Sequence, residues 1–348
     1  MKPLELAREV LGSDEAWVVG GAIRDELLAR EVVDLDIACR DPERTARRYA
    51  RRAEGAPFPL SERHGAWRVA LSAGRTVDFT PLPGGIDDDL ATRDFTINAI
   101  ARPLAGGNPI DPFGGLPDLE RRVLRAVGPD VFRDDPLRLL RAVRLEDELG
   151  FALDPETERL VRADAGLVDR PAGERILAEL ERLSPAGYER LDELGLLGLL
   201  GGSLERLSRL GEATPELRLV AVFGDGVRRF PISNDLRRYA AALLRARLPE
   251  DRSPRAIHRF RRATEPWAVD AARFAGGDEK LERAIEVARA NDPEAPLVRG
   301  DQLGLPPGPE VGAWLERIAE ERAAGTISTR EEALELVRHG ADASERRR

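Results

Sequence analysis

Asp34 and Asp36 are separated by one residue in the run Asp34-Leu35-Asp36-Ile37-Ala38, which alternates polar and apolar side chains. Such alternation marks a half-buried β-strand, and residues i and i+2 of a strand face the same side. The two carboxylates therefore project together, about 7 Å apart at the backbone. Carboxylates that close repel unless a cation sits between them. A divalent ion such as magnesium relieves the repulsion and bridges to phosphate oxygens. Two solvated aspartates on an exposed strand face produce the same spacing, so the surroundings decide the meaning.

Ten residues before Asp34 stands Arg24, within Gly20-Gly21-Ala22-Ile23-Arg24-Asp25. The glycines lie between a strand-like Trp17–Val19 and a helix-like Ala22–Arg30, where a bare backbone approaches a ligand closely. The start of that helix offers free N–H groups and a positive dipole end to a triphosphate, and Arg24 adds a guanidinium. Alone, the glycines would mark only a turn. Asp78, in the alternating Thr76-Val77-Asp78-Phe79, supplies a third carboxylate of the kind that two-metal chemistry uses. A strand-end aspartate near a turn is the plainer reading of it.

A second constellation is Phe132-Arg133-Asp134-Asp135-Pro136-Leu137-Arg138, continuing to Arg141 and Arg144. Pro136 suits the first position of a helix and Asp135 its N-cap. Arginines every three residues drift by about −60° per step, giving a slanting stripe that suits a phosphate or a base edge. A solvated stripe, or one paired with Asp134 and Glu148, is the simpler alternative. An aspartate–arginine pair can also read a base. Cytosine and adenine each place an amino donor beside a ring acceptor, matching a carboxylate and a guanidinium. Uracil and guanine present a carbonyl to the carboxylate and are repelled.

These residues need a scaffold. The chain has 348 residues, 42% of them hydrophobic and 34% charged, enough for two to three domains with real cores. That excludes a disordered chain, a collagen and a disulfide mini-protein. No apolar run approaches the ~18 residues of a membrane span, and the first residues lack a signal-peptide pattern. Cys39 is the only cysteine, consistent with a reducing cytoplasm. His64, His258 and His339 are the only histidines and none sit at metal-ligand spacing, so any metal is held by carboxylates, pointing to magnesium or manganese.

The fold reads as α+β. Over residues 1–128 short strands alternate with helices, including a hairpin of Trp67–Leu71 and Thr76–Thr80, a loop at 81–85 and a helix or extended segment from Asp94 to Ala101. From Asp135 the pattern is helical: 155–163, 173–183, 186–200, 235–248, 254–275, 278–290, 308–323 and 328–338.

Taken together, the motifs resemble the class II tRNA nucleotidyltransferases, or CCA-adding enzymes, and the related bacterial poly(A) polymerases. Gly20-Gly21-Ala22-Ile23-Arg24-Asp25 with Asp34-Leu35-Asp36 looks like the catalytic motif. Arg93-Asp94-Phe95-Thr96-Ile97-Asn98 resembles the motif that contacts sugar and triphosphate. Asp111-Pro112-Phe113-Gly114-Gly115 with Asp118-Leu119 resembles the third motif, and Asp134-Asp135-Pro136-Leu137-Arg138 the base-reading one. Leu297–Leu303, Pro307-Gly308-Pro309 and Gly325-Thr326-Ile327 look like the family's tail.

The resemblance implies a seahorse-like α+β chain: a nucleotidyltransferase head over 1–128, a helical neck over 129–200, a basic body over 201–275 and a tail over 276–348. It implies magnesium on Asp34 and Asp36, beside which Asp78 is read from its strand position as the third catalytic carboxylate. CTP or ATP would lie against Gly20, Gly21, Arg24, Arg93, Asp94, Asn98, Asp135, Arg138, Arg141 and Arg144, and the tRNA 3′ hydroxyl would attack the α-phosphate. No membrane or protein partner is implied.

Some features depart from the family pattern. Asp134 replaces the usual glutamate, and Thr92 the basic residue that usually precedes Arg93. Only fourteen residues, Phe79 to Thr92, separate Asp78 from Arg93. That short connection resembles enzymes that add only CC. Phe223-Gly224-Asp225 stands where relatives with phosphohydrolase activity carry His-Asp, so that activity is expected to be absent.

Residues 226–262 hold eleven arginines against three acids in a chain of net charge −9. Arg228, Arg229, Arg237, Arg238, Arg255, Arg259, Arg261 and Arg262 are therefore expected to follow a tRNA backbone, although an arginine-rich helical surface is the blander reading. The expected function is template-independent addition of CMP and/or AMP to tRNA 3′ ends. The alternatives are CC-only or A-only addition, a poly(A) polymerase, a catalytically idle RNA-binding homologue, and an antibiotic- or protein-modifying nucleotidyltransferase. The poly(A) branch is disfavoured because only Arg346-Arg347-Arg348 stands where that branch has a strongly basic extension.

Overall fold

The structure, a computed structural model, describes residues 3–12, 14–61, 65–82 and 84–345. His64, Pro83 of the expected 81–85 loop, and the basic Arg346–Arg348 lie outside the described residues. The chain divides into two compact units, residues 1–200 and 201–348. Residues expected to form a head and a neck thus share one unit, and those of body and tail share the other.

The first unit begins with α1 (Pro3–Leu11), β1 (Ala16–Val19), α2 (Gly21–Leu27), β2 (Asp34–Cys39) and α3 (Pro42–Ala53). A meander follows: β3 (Ala56–Ser61), β4 (Ala66–Ala70) and β5 (Thr76–Pro81), then α4 (Ile86–Ala91) and β6 (Ala101–Pro103). The six strands form one sheet in the order β3-β4-β5-β2-β1-β6, with β2 and β5 parallel and every other pair antiparallel.

One face of the sheet is apolar. Leu35, Ile37, Val69, Val77 and Phe79 are buried there under α3, whose Tyr49 ring lies 5.7 Å from that of Phe79. Asp41 caps α3 by accepting from the Arg44 N–H, and Pro42 fills its first turn. The other face is covered only in part, where Val19 and Ala38 pack with Leu82, Leu90, Ala99 and Ala101. The uncovered part carries the polar positions of β2, β5 and β4.

The sequence left residues 42–53 and 86–91 unassigned; both are helices. It also missed β3, because Pro57 and Pro59 argue against a strand. Prolines are tolerated there because β3 is an edge strand, where an absent N–H costs no ladder bond. The segment after Asp94 is a single 3-10 turn, Thr96–Asn98, leading to β6.

The helical part of this unit holds α5 (Gly115–Arg121), β7 (Val123–Leu124), α6 (Val131–Asp134), α7 (Arg138–Leu149), β8 (Ala152–Leu153) and α8 (Pro155–Ala163). α9 (Gly173–Leu180), α10 (Pro185–Glu193) and α11 (Leu196–Leu199) complete it. α7 starts at Arg138, later than expected. Asp135 does not act as its N-cap; its carboxylate accepts from the Leu137 N–H at 3.2 Å within a tight turn at Pro136. Leu139, Leu140, Ala142, Val143 and Leu145 bury one side of α7, which packs against α9 and α10. β7 and β8 pair in parallel and tie the segment before α6 to the far end of α7.

The second unit is helical: α12 (Pro215–Phe223), α13 (Asn234–Arg245), α14 (Pro254–Thr264), α15 (Ala268–Phe274), α16 (Glu279–Ala290), α17 (Pro309–Ala323) and α18 (Arg330–Glu345). Thr214, Ser233, Ser253 and Asp278 cap four of them with side-chain oxygens. The expected 254–275 helix is two helices, because Pro266 cannot continue the first. No described helix is long and apolar enough to cross a membrane.

Candidate active site

β1 ends at Val19 and the chain turns into α2 through Gly20, at φ 73° and ψ −146°. That conformation belongs to glycine. A Cβ at this position would lie 3.3 Å from the Asp36 carboxylate and 3.2 Å from the Arg93 guanidinium. The bend is therefore pressed against both groups.

On β2, Leu35 and Ile37 are buried under α3 while Asp34 and Asp36 face the uncovered side. Parallel pairing places Asp78 of β5 directly opposite Asp36, and Thr76 opposite Asp34. All three aspartates thus share one face. Burial pushes the Asp36 carboxyl up to about 6; Arg93 opposes this, and the neighbouring Asp78 and Asp34 add to it. The Thr76 hydroxyl donates to Asp34 at 2.8 Å, and Arg68 of β4 donates two 2.7 Å bonds to Asp78. With Asp34 and Asp78 drawn toward these partners, the described residues hold no ready-made cluster of three metal-ligating side chains.

Asp34 and Asp36 line a cavity of about 690 Å³ together with Gly20, Gly21, Asp135 and Arg138. Arg93, Arg141 and Arg144 line it as well. Residues a hundred positions apart in sequence therefore converge on one site, as the motifs require.

Several expected ligand-binding groups are held by partners. Arg24 is 8% exposed; it donates to both oxygens of Asp25 at 2.9 Å and to the Asn98 side-chain oxygen at 2.8 Å. Asn98 donates to Asp94 at 2.9 Å, and Arg141 donates to Asp94 at 2.6 and 2.9 Å. Burial works against the Asp94 charge, but Arg141, Asn98 and the Phe95 N–H overcome it and hold its carboxyl below the ordinary range. Arg24, Asn98 and Asp94 form a fixed polar layer linking α2 to α7. Arg144 is also buried, between Glu179 at 2.5 Å and Glu148 at 2.8 Å.

The two base-reading candidates are poised differently. Arg138 donates to the Thr92 carbonyl at 2.6 Å and to that of Val131 at 3.3 Å. Arg175 of α9 donates to both oxygens of Asp135, at 2.8 and 3.3 Å. Burial works against the Asp135 charge, yet Arg175 keeps its carboxyl below the ordinary range.

Arg175, Glu179 and Arg68 were missed from sequence. The first two stand four apart on α9, one turn of a helix. Arg68 faces Asp78 across the β4–β5 hairpin, a register that counting back from its turn would have revealed.

The arginine-rich segment is not a bare basic surface. Arg255 and Arg259 pair with Glu321 and Glu320 of α17, and Arg262 lies 3.4 Å from Glu316. Arg228 and Arg238 pair with Asp225 and Asp235. Arg261 is 8% exposed and held by Glu265 at 2.9 Å and by Asp292, which corrects its assignment to an RNA-facing surface. A charge count over a sequence window omits the acids that folding brings in from outside it.

A family model, the poly(A) polymerase head domain, matches residues 16–83 and 71–125. The A-adding tRNA nucleotidyltransferase of Deinococcus radiodurans is 36% identical, over 94% of this chain and 96% of its own. The CC-adding tRNA nucleotidyltransferase of Thermus thermophilus is 33% identical, over 92% of each. Among solved structures, the Bacillus stearothermophilus CCA-adding enzyme in complex with CTP superposes with a TM-score of 0.78 at 27% identity, over the whole of both chains. Full-length similarity at this level, together with a shared fold, shows that the chain belongs to the tRNA nucleotidyltransferase family.

Proposed function

We propose that this chain transfers CMP or AMP from CTP or ATP to the 3′ hydroxyl of tRNA without a nucleic-acid template. The observation that carries the reading is the cavity itself. It brings the paired carboxylates of β2 together with Asp135 and Arg138, and its volume suits a nucleoside triphosphate.

The donor set fits magnesium. Asp34, Asp36 and Asp78 offer hard oxygens on one face. Burial first, then the charges of Asp78 and Asp34, raise the Asp36 carboxyl against the pull of Arg93. Bound by Asp34 and Asp36, the ion supplies charge neutralisation for the triphosphate. The chain does the rest. The Gly20–Gly21 backbone admits the phosphates closely. Arg93 stands beside them, held by Asp89 at 2.7 Å. Asp135 accepts from the amino group of cytosine or adenine, and Arg138 donates to the ring acceptor.

One observation favours CC addition as the narrower reading. The connection from Phe79 to Thr92 is short, α4 takes up much of it, and Arg138 grips its last carbonyl. Purified protein, offered CTP or ATP separately with tRNAs ending at the discriminator base, after one C and after two, tests both. Addition of C to the first two and A to the third establishes CCA synthesis. Stopping after two C establishes the narrower reading, and no transfer to any of them refutes both.

A further inference from the structure

The uncovered face of the sheet continues past the carboxylates. Phe58 of β3 pairs with Arg68 of β4, Arg68 with Asp78 of β5, and Asp78 with Asp36 of β2. Residues directly opposite on paired strands share a face, so a row of four side chains runs from the metal-site carboxylate to the sheet edge. At strand spacings of ~4.8 Å the row is roughly 14 Å long. At its end Phe58 is 42% exposed, and Leu60, at the break in register between Pro59 and Ser61, is 44% exposed. Phe58 is the only aromatic among the large exposed apolar side chains of the described residues.

The direction of the reaction gives this edge a purpose. In nucleotidyl transfer the attacking oxygen, the phosphorus and the leaving oxygen stand roughly in line. The Gly20–Gly21 bend, expected to carry the leaving pyrophosphate, follows β1 on one side of β2. The acceptor hydroxyl must then approach Asp36 from the other side, where β5, β4 and β3 lie. Along that approach stand Arg68, a cation for a phosphate, and then an exposed ring. Unpaired bases of single-stranded RNA stack on such rings, and backbone phosphates take such cations.

We infer that Phe58 is the platform on which a base at or next to the 3′ end of the acceptor RNA stacks, with Arg68 on the intervening phosphate. The inference rests on the proposed transfer reaction and adds where the acceptor strand lies. Pro57 and Pro59 fit it, because they deny the edge the N–H groups that a further protein strand would need.

The test is steady-state transfer of CMP to tRNA by Phe58→Ala and Phe58→Trp, with folding checked by circular dichroism. Stacking on one ring predicts that Phe58→Ala raises KM for tRNA by about tenfold or more. KM for CTP should stay within twofold, and Phe58→Trp should restore tRNA affinity. An acceptor made abasic at one of its last two positions should cost wild type the same factor and cost Phe58→Ala nothing further. An unchanged KM for tRNA in Phe58→Ala, or additive losses with the abasic acceptors, overturns the platform. So does a wild-type dimer that Phe58→Ala converts to monomer, since a second copy would then cover the edge. Failure of wild type to transfer at all overturns the reaction instead.

Discussion

Asp36 and Asp78 stand directly opposite each other on the parallel strands β2 and β5, and only Asp78 has a guanidinium of its own. Arg68 grips Asp78 with two bonds, while Asp36 is left with a carboxyl raised to about 6 by burial and by its acidic neighbours. Stability is sacrificed at this pair, and on the proposed function a bound cation would restore it.

The pH dependence follows. Asp36 holds its proton more tightly in the folded chain than in the unfolded one, where its value is about 3.9. Its contribution to stability is therefore fully present below about pH 4 and is lost as the pH rises to about 6. Asp36→Asn should melt a few degrees above wild type at pH 7.5 in a chelator, and the gap should close toward pH 4.5. Thermal unfolding followed by circular dichroism measures this; equal melting at pH 7.5 would contradict it. Added magnesium should raise the wild-type transition and leave that of the variant nearly unchanged.

Gly20→Ala should remove transfer. A side chain at φ 73° costs about 1–3 kcal/mol, and its Cβ would press on Asp36 and Arg93. Single-turnover kinetics should show a loss of at least 100-fold, with tRNA binding by filter retention kept within threefold.

Arg175 holds Asp135 in its ionised form. Arg175→Met leaves the burial that opposes the charge and removes the cation that overcomes it. The Asp135 carboxyl should rise toward or above its ordinary value, and the acid limb of the pH–rate profile should move to higher pH. Misincorporation of UMP should increase at the acid end of the profile, where a protonated carboxyl can donate to a carbonyl opposite it. A profile and a selectivity identical to wild type would show that Arg175 does not act through Asp135.

Arg261 should be structural. Arg261→Met strips Glu265 and the half-exposed Asp292 of a shared cation, and removing the buried member of this ion pair network is destabilising. The thermal transition should fall by several degrees, and the affinity of the folded protein for tRNA should stay within twofold. Arg237, on the solvent-exposed side of α13, should behave in the opposite way, weakening tRNA binding and flattening its salt dependence.

The parts of the head that position the carboxylates were legible because each obeys a local rule. Alternation marked β2 and β5, and the glycine pair marked the strand-to-helix bend. What stayed hidden depends on neighbours brought in by folding. β3 contradicts its own propensity and survives as an edge. The carboxylate expected to cap α7, that of Asp135, instead accepts from the Leu137 N–H in a tight turn and from Arg175. The arginines of α14 read as a free patch until α17 supplied Glu316, Glu320 and Glu321. Local patterns report strands and bends, whereas ion-pair partners are a property of the tertiary fold.

The most direct measurement is single-turnover transfer of labelled CMP to a tRNA ending at the discriminator base, for wild type, Asp36→Ala and Arg138→Ala, with tRNA binding followed in parallel. Wild type should transfer, and Asp36→Ala should bind tRNA but transfer nothing. Arg138→Ala should lose discrimination between CTP and UTP more than it loses affinity for the triphosphate. Transfer by Asp36→Ala at a rate near that of wild type would contradict the assignment of this carboxylate cavity as the site of chemistry.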